Sequence, residues 1–308
     1  MVLEIKYLEH KNFINEKNLV LCLGFFDGLH LAHIELIKEA KKIAKAKGLP
    51  LAVFTFTENI QGFLKHQRHR CLTTIEDKAK ICQDLDVDFL YVMRVTEHLI
   101  HMDPKEFIAR YLLDTNTVVC GFDFSFGYRG AGDKNLLKRQ KSFATVVIPQ
   151  RKYLDLKIGT TRIKANLRDA NLEIAEHLLG RKYSIKGRVI NGRGIGKRLG
   201  YPTANIDYMP YFLPKSGVYF SKVIYNRKTF YGSTNIGNKP TYYKLPLTVE
   251  TYVFNINEDL YNKHIKIIFL EYLREEKKFD SEELLKEQIL KDIDYIELKI
   301  KEDQNVKI

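Results

Sequence analysis

A chain of 308 residues with 45% hydrophobic residues can build real cores, and at roughly 150 residues per domain it predicts about two of them. It holds no apolar run of about 18 residues, which excludes an ordinary membrane-spanning helix, and its first residues lack a signal-peptide layout. The formal charge of +12 suits anionic ligands such as nucleotides. The lysines and arginines are spread along the chain, and neither a zinc-finger spacing nor an RNA-recognition signature is present, so nucleic acid is the disfavoured partner. Cys22, Cys71, Cys82 and Cys120 form no C-x-x-C pair and read as free thiols of a reducing cytoplasm.

In chain order, residues 19–25 predict a buried strand. A helix follows from near Leu31, with Ile34, Ile37, Ala40, Ile43 and Ala44 forming its apolar stripe, and Gly48 and Pro50 stop it. Residues 51–56 predict the next strand. Residues 74–85 predict a helix capped by Thr73 or Thr74 with an acidic residue two or three positions on. A short strand at 89–92 precedes a helix at 104–113, with Asp103 as N-cap and Pro104 in its first turn. Strands at 118–120 and 145–148 complete the series. This alternation predicts a doubly wound parallel sheet. A helix at 172–179 ends at Gly180 as C-cap, which places the domain boundary between 1–180 and 181–308.

The texture then changes. Short β-rich runs at 183–190, 217–224, 229–236, 247–256 and 265–270 are separated by Gly, Pro, Asn and Lys, which predicts a small antiparallel barrel. A helix at 281–300, capped by Ser281, closes the chain. The expected fold class is therefore α/β plus all-β.

Two stretches carry chemistry. In the first, Gly24, Gly28, His30 and His33 sit where a strand passes to a helix N-terminus, the place where an open α/β sheet binds phosphates. Two imidazoles three residues apart share a helix face and can stabilise a transferring phosphate without a covalent step. That pattern points to a nucleotidyltransferase. A partial metal site lacks a third ligand at a suitable spacing. A second H-x-x-H, His66 and His69, lies in a polar stretch and reads as solvent-facing.

In the second, residues 191–200 form a glycine-rich loop after a strand that fits neither a Walker A loop nor a dinucleotide fingerprint. Thr203 and Asn205 follow, two apart, so an extended backbone points both the same way. Both are hard oxygen ligands suited to Mg²⁺; a proline-initiated turn with an Asx bond is the plainer alternative. Glu250 stands inside an apolar strand, either facing outward or serving as a general base for an alcohol.

Taken together, these stretches resemble the prokaryotic bifunctional riboflavin kinase/FMN adenylyltransferase (FAD synthetase) family over nearly the whole chain. The second half carries the resemblance in Leu179-Gly180-Arg181, Gly187-Arg188-Val189, the glycine loop, 199–205, Gly217-Val218-Tyr219, 235–241, Val249-Glu250, and 273–280. The first half carries it in Gly24, Phe26, Asp27, Gly28, His30 and His33, in 119–127 with Gly132-Asp133, and in 158–164. The resemblance implies a Rossmann-like nucleotidyltransferase domain followed by a riboflavin kinase β-barrel. It implies ATP, Mg²⁺, riboflavin, FMN and FAD as the molecules handled. Thr203 and Asn205 would hold Mg²⁺ and ATP phosphate, Glu250 would be the base on the ribityl 5′-hydroxyl, and the loop with Gly192, Gly194 and Gly196 would cover the nucleotide. Arg274 would lie near the flavin. In the first domain His30 and His33 would act on the adenylyl group, beside Gly24, Phe26, Asp27 and Gly28. Asp123 and Phe126 would belong to a flavin-side loop, and Thr160, Thr161 and Arg162 to a phosphate loop. Association of like chains is compatible with this reading; no membrane is implied.

The chain departs from the family pattern at Ala32, where glycine is usual, at Thr57-Glu58-Asn59, where P-H-P is usual, and at Gly159, Thr160 and Lys164. The rival readings are a riboflavin kinase with a silent first domain, and a flavin- or nucleic-acid-binding regulator without catalysis. A class I aminoacyl-tRNA synthetase fails for want of a K-M-S-K-S-like loop.

Overall fold

The computed structural model describes residues 2–9, 14, 16–65, 70–192, 195–237 and 247–305. The chain packs as two compact units, Met1–Arg162 and Ile163–Ile308.

The first unit is built on six parallel strands: β1 (Glu4–Leu8), β2 (Val20–Leu23), β3 (Leu51–Phe56), β4 (Phe89–Met93), β5 (Thr117–Gly121) and β6 (Ala144–Ile148), in the order β1-β4-β3-β2-β5-β6. Every residue of β2 and β3 is buried, as expected of central strands covered on both faces. Leu21 and Leu23 face one core while Val20 and Cys22 face the other. The strand order reverses between β2 and β5, which makes the carboxyl ends of these two strands the topological switch point where such sheets bind ligands. The 24–33 turn follows β2, and the loop with Asp123 follows β5.

Local signals in the sequence set the helix ends. In α1 (Leu31–Lys47), Gly48 closes the helix at φ 63°. In α2 (Ile75–Asp84), Thr74 and Asp77 form a reciprocal capping box. In α3 (Pro104–Tyr111), the Asp103 carboxylate accepts from the Lys105 N–H. Strand β1 was not expected. It is an edge strand with mostly half-exposed or exposed residues, so it lacks the apolar signature of its neighbours.

The second unit begins within α4 (Thr160–Arg168), and α5 (Leu172–Leu179) buries Ala175, Leu178 and Leu179 before Gly180 ends it at φ 73°. Residues 163–179 thus group with the barrel unit. The barrel closes as β7-β8-β11-β10-β9-β12, from β7 (Ser184–Ile190), β8 (Thr203–Asp207), β9 (Gly217–Tyr225), β10 (Lys228–Gly237), β11 (Thr248–Val253) and β12 (His264–Arg274). Five of these match the expected runs; β8 adds the sixth, confirming an extended backbone at Thr203 and Asn205. The last helix, α6 (Glu282–Asn305), is longer than the sequence pattern suggests and packs Ile293 and Ile296 on Phe220 and Phe254 of the barrel's outer face.

Cys22, Cys82 and Cys120 are buried, Cys71 is half-buried, and all four are free. Burial pushes the Cys82 thiol up to about 12 and the Cys120 thiol to about 11, so both stay protonated and inert at neutral pH. Among the described residues no helix is long and apolar enough to cross a membrane.

Candidate active sites

The turn after β2 bends through positive φ at Phe26 (54°), Gly28 (81°) and Leu29 (37°) before His30 opens α1. The Phe26 ring lies over Gly24, where a Cβ would come within 2.8 Å of it, so only glycine fits there. Asp27 is buried. Its Oδ1 accepts from the Leu72 N–H at 2.7 Å, and the Gly28 N–H donates to Thr73 Oγ1 at 2.9 Å. These bonds, spanning 45 residues of chain, tie the turn to the segment that caps α2. The Thr160 hydroxyl donates to the Asp27 carbonyl at 3.0 Å, which brings the start of α4 to the same turn.

His30 and His33 stack, ring centroids 3.6 Å apart and planes 17° apart, and Phe26 meets His33 edge-on at 5.1 Å. Two cations cannot share that spacing cheaply. Burial holds the His33 imidazole well below its usual pKa, with the neighbouring charges of His30, Lys78 and Lys157 adding to the shift, so His33 is neutral at pH 7. Its Nδ1 is buried and makes no hydrogen bond within the protein.

The remaining residues expected here divide. Asp123 pairs with Lys157, which also lies 5.0 Å from the centre of the Phe122 ring. Thr161 is exposed. Arg162 donates to the Tyr153 and Leu156 carbonyls at 2.7 and 3.0 Å and so braces the hairpin between Lys152–Tyr153 and Leu156–Lys157. Phe126 is a core residue, packed on Phe107 at 5.2 Å and Phe124 at 5.8 Å. Phe26 and Asp27 likewise shape the turn from within.

On the barrel, Thr203 and Asn205 of β8 pair with Tyr252 and Glu250 of β11, so all four point to one face. The Thr203 hydroxyl donates to Glu250 Oε2 at 3.4 Å, and Asn205 is buried. Gly192 lies so close to Asn205 that a Cβ would sit 2.0 Å from its Nδ2. Gly196 lies against Thr203, where a Cβ would fall 3.2 Å from Oγ1 and 2.3 Å from the Tyr201 carbonyl. Gly192 and Gly196 therefore lie directly on the carboxamide and the hydroxyl. Gly194 lies outside the described residues, as do His66, His69 and 238–241.

Gly196, Thr203 and Glu250 of this cluster line a cavity of about 1110 Å³ between the barrel's outer face and α6, with Leu285, Ile289 and Ile293 supplying an apolar wall. That is room for a nucleotide and an aromatic co-substrate together. Arg274 also lines it, but Asp292 of α6 holds its guanidinium through Nε at 2.9 and 3.1 Å and Nη2 at 2.6 Å. Arg274 thus fastens α6 to β12. Among the described residues no group of three His, Cys, Asp or Glu could hold a metal ion. The oxygen donors Thr203 and Asn205 fit Mg²⁺, which keeps several waters and phosphate oxygens rather than an all-protein cage.

Sequence reasoning missed Lys78. It is 3% exposed, and its ammonium donates to the Phe25 carbonyl at 2.8 Å and Thr55 Oγ1 at 2.9 Å, directly behind the turn. The available signal was a lysine on the apolar stripe of α2, three after Ile75 and four before Cys82. Asp292 was missed too, because its partner lies 18 residues away on another element.

Comparison with known proteins agrees with this division. Residues 13–162 match the FAD synthetase family and residues 179–299 the riboflavin kinase family. The chain is 37% identical over 297 residues to the bifunctional riboflavin kinase/FMN adenylyltransferase of Listeria monocytogenes, covering 93% of this chain and 95% of the relative. It is 37% identical over 284 residues to that of Bacillus subtilis, covering 89% and 90%. A crystal structure described as a macrolide-efflux protein from Streptococcus pneumoniae superposes with a TM-score of 0.84 at 26% identity, over 94% of this chain and 98% of that one. With two matched modules in the same order and relatives aligned over nearly their full length, the chain belongs to the bifunctional riboflavin kinase/FMN adenylyltransferase family.

Proposed function

We propose that this chain makes FAD in two steps at two separate sites. Residues 181–308 transfer the γ-phosphoryl group of ATP to riboflavin, giving FMN and ADP. Residues 1–180 transfer the adenylyl group of a second ATP to FMN, giving FAD and pyrophosphate. The observation that carries the reading is the meeting of Thr203, Asn205 and Glu250 on one face of the barrel, with Gly192 against Asn205 and Gly196 against Thr203.

In the first step Glu250 takes the proton of the ribityl 5′-hydroxyl as its oxygen bonds to the γ-phosphorus and the bond to ADP breaks. Thr203 and Asn205 would hold Mg²⁺ and ATP phosphate, and the metal would supply charge neutralisation when bound. Gly192, Gly194 and Gly196 let the loop backbone close over the nucleotide. Arg274, through Asp292, keeps α6 in place as the cavity's far wall.

In the second step a phosphate oxygen of FMN bonds to the α-phosphorus of ATP and the bond to pyrophosphate breaks. His30 and His33 donate hydrogen bonds to the transferring group and the departing pyrophosphate, aided by the N-terminus of α1. Gly24 and Gly28 give the backbone its close approach, with Phe26 and Asp27 fixing the turn. Thr160, Thr161 and Arg162 serve the phosphates, and Asp123 serves the flavin side, its loop supported from the core by Phe126. A cytoplasmic setting supplies ATP and keeps the four thiols reduced.

Purified protein supplied with riboflavin, ATP and Mg²⁺ is expected to yield FMN first and then FAD, resolved by chromatography. FMN that never proceeds to FAD would establish the silent-domain rival, and no conversion would remove the enzyme reading.

A further inference from the structure

Lys78 is an unusual side chain for its place. It lies on α2, beneath the 24–30 turn, with its ammonium enclosed by the Phe25 carbonyl, the Thr55 hydroxyl and the Phe25 ring face at 4.6 Å. Thr55 Oγ1 itself donates to the Phe25 carbonyl at 2.7 Å, so lysine, threonine and carbonyl form a closed triangle. A buried ammonium with two neutral acceptors is costly to keep. Burial pulls its pKa down to about 8, against the opposing charge of Asp27. The unfolded chain binds that proton more tightly, so at neutral pH the residue opposes folding, and the opposition fades as pH rises from about 8 toward its ordinary value of 10.5. Packing alone would be served as well by methionine. The charge therefore has another use.

We propose that Lys78 is a positioning residue for the adenylyl step: its ammonium fixes the Phe25 carbonyl, and with it the turn that carries His30, and its charge acts on the His33 imidazole. The inference rests on the reading of this turn as the adenylyl site. The groups facing Lys78 and the imidazole pair are Asp27 on the turn, Cys71 before α2, Cys82 on α2, and Lys157. Burial is the main cause that pushes the His33 imidazole down, followed by His30, and Lys78 and Lys157 add to it. A bound triphosphate brings negative charge that opposes this bias at His33.

The test is Lys78→Met in the full chain. The substitution keeps an unbranched side chain of nearly the same length and orphans nothing, because Thr55 still donates to the Phe25 carbonyl. Riboflavin phosphorylation is expected to be unchanged, and an unaltered far-UV circular dichroism spectrum reports that the parallel-sheet unit is folded. For FAD formation from FMN, kcat/KM for ATP is expected to fall about tenfold at pH 7. In the unaltered chain that parameter declines as pH rises through about 8, where Lys78 loses its charge; in K78M the decline is absent. In the ligand-free protein, the His33 titration followed by NMR is expected to move upward in K78M. An unchanged His33 titration, or a K78M profile that keeps the alkaline decline, overturns the inference. The titration needs no turnover, so a parent chain that makes no FAD would sink the adenylyl reading while leaving the coupling of Lys78 to His33 separately decided.

Discussion

Glu250→Gln is expected to lower FMN formation from riboflavin by about 10²–10⁴-fold while leaving FAD formation from supplied FMN unchanged. Glutamine matches glutamate in volume, and its carbonyl can still accept from the Thr203 hydroxyl that reaches Glu250 at 3.4 Å. Strand β11 keeps its pairing with β8 and β10, since that pairing uses backbone groups. What disappears is the basic carboxylate. The loss should therefore fall on kcat, with the KM for riboflavin little changed, because the apolar wall of Leu285, Ile289 and Ile293 is untouched. Single-turnover assays with resolved flavins check both numbers. A loss confined to KM would assign Glu250 to binding instead.

His30→Ala is expected to have the opposite pattern, with FAD formation reduced by about 10²–10³-fold and riboflavin phosphorylation intact. His30 is 4% exposed and stacked on His33 at 3.6 Å. Its removal deletes one donor and also frees the remaining imidazole from its stacking partner. Because His30 is the residue before Leu31, it has non-helical backbone angles (φ −70°, ψ 172°), and no side-chain cap bond is lost. The helix should start where it does now, so a fall in rate reads as lost stabilisation of the transferring group. Riboflavin phosphorylation by the same sample, and an unaltered far-UV circular dichroism spectrum, separate that loss from unfolding.

Much of this architecture is legible locally. Gly48 and Gly180, the Thr74 box and the Asp103–Pro104 start are signals that act within a few residues, and the structure obeys them. Strand 51–56 is visible because both its faces are buried and its residues are apolar throughout. The Thr203–Asn205–Glu250 constellation is legible as residue types, but its assembly depends on strand register between segments almost 50 residues apart. No local pattern encodes that register. The roles of Asp27 and Phe126 are hidden for the same reason. A carboxylate in a glycine turn looks like a ligand group until Leu72 is found donating to it, and an aromatic in a loop looks like a flavin contact until its ring is found in the core. Strand β1 is obscured by its place at the edge, where charged residues are favoured. Lys78 is obscured because a helical lysine normally faces water, and only the position of the Phe25 carbonyl behind the turn reveals otherwise.

Two separable sites on one chain make a direct demand on a mixture of the two variants. Supplied with riboflavin, ATP and Mg²⁺, E250Q alone should leave riboflavin unchanged and H30A alone should stop at FMN. Mixed in equal amounts, they should make FAD, because FMN released by one chain is adenylylated by the other. A mixture that accumulates FMN without FAD would contradict the division of the reaction between the barrel and the parallel-sheet unit.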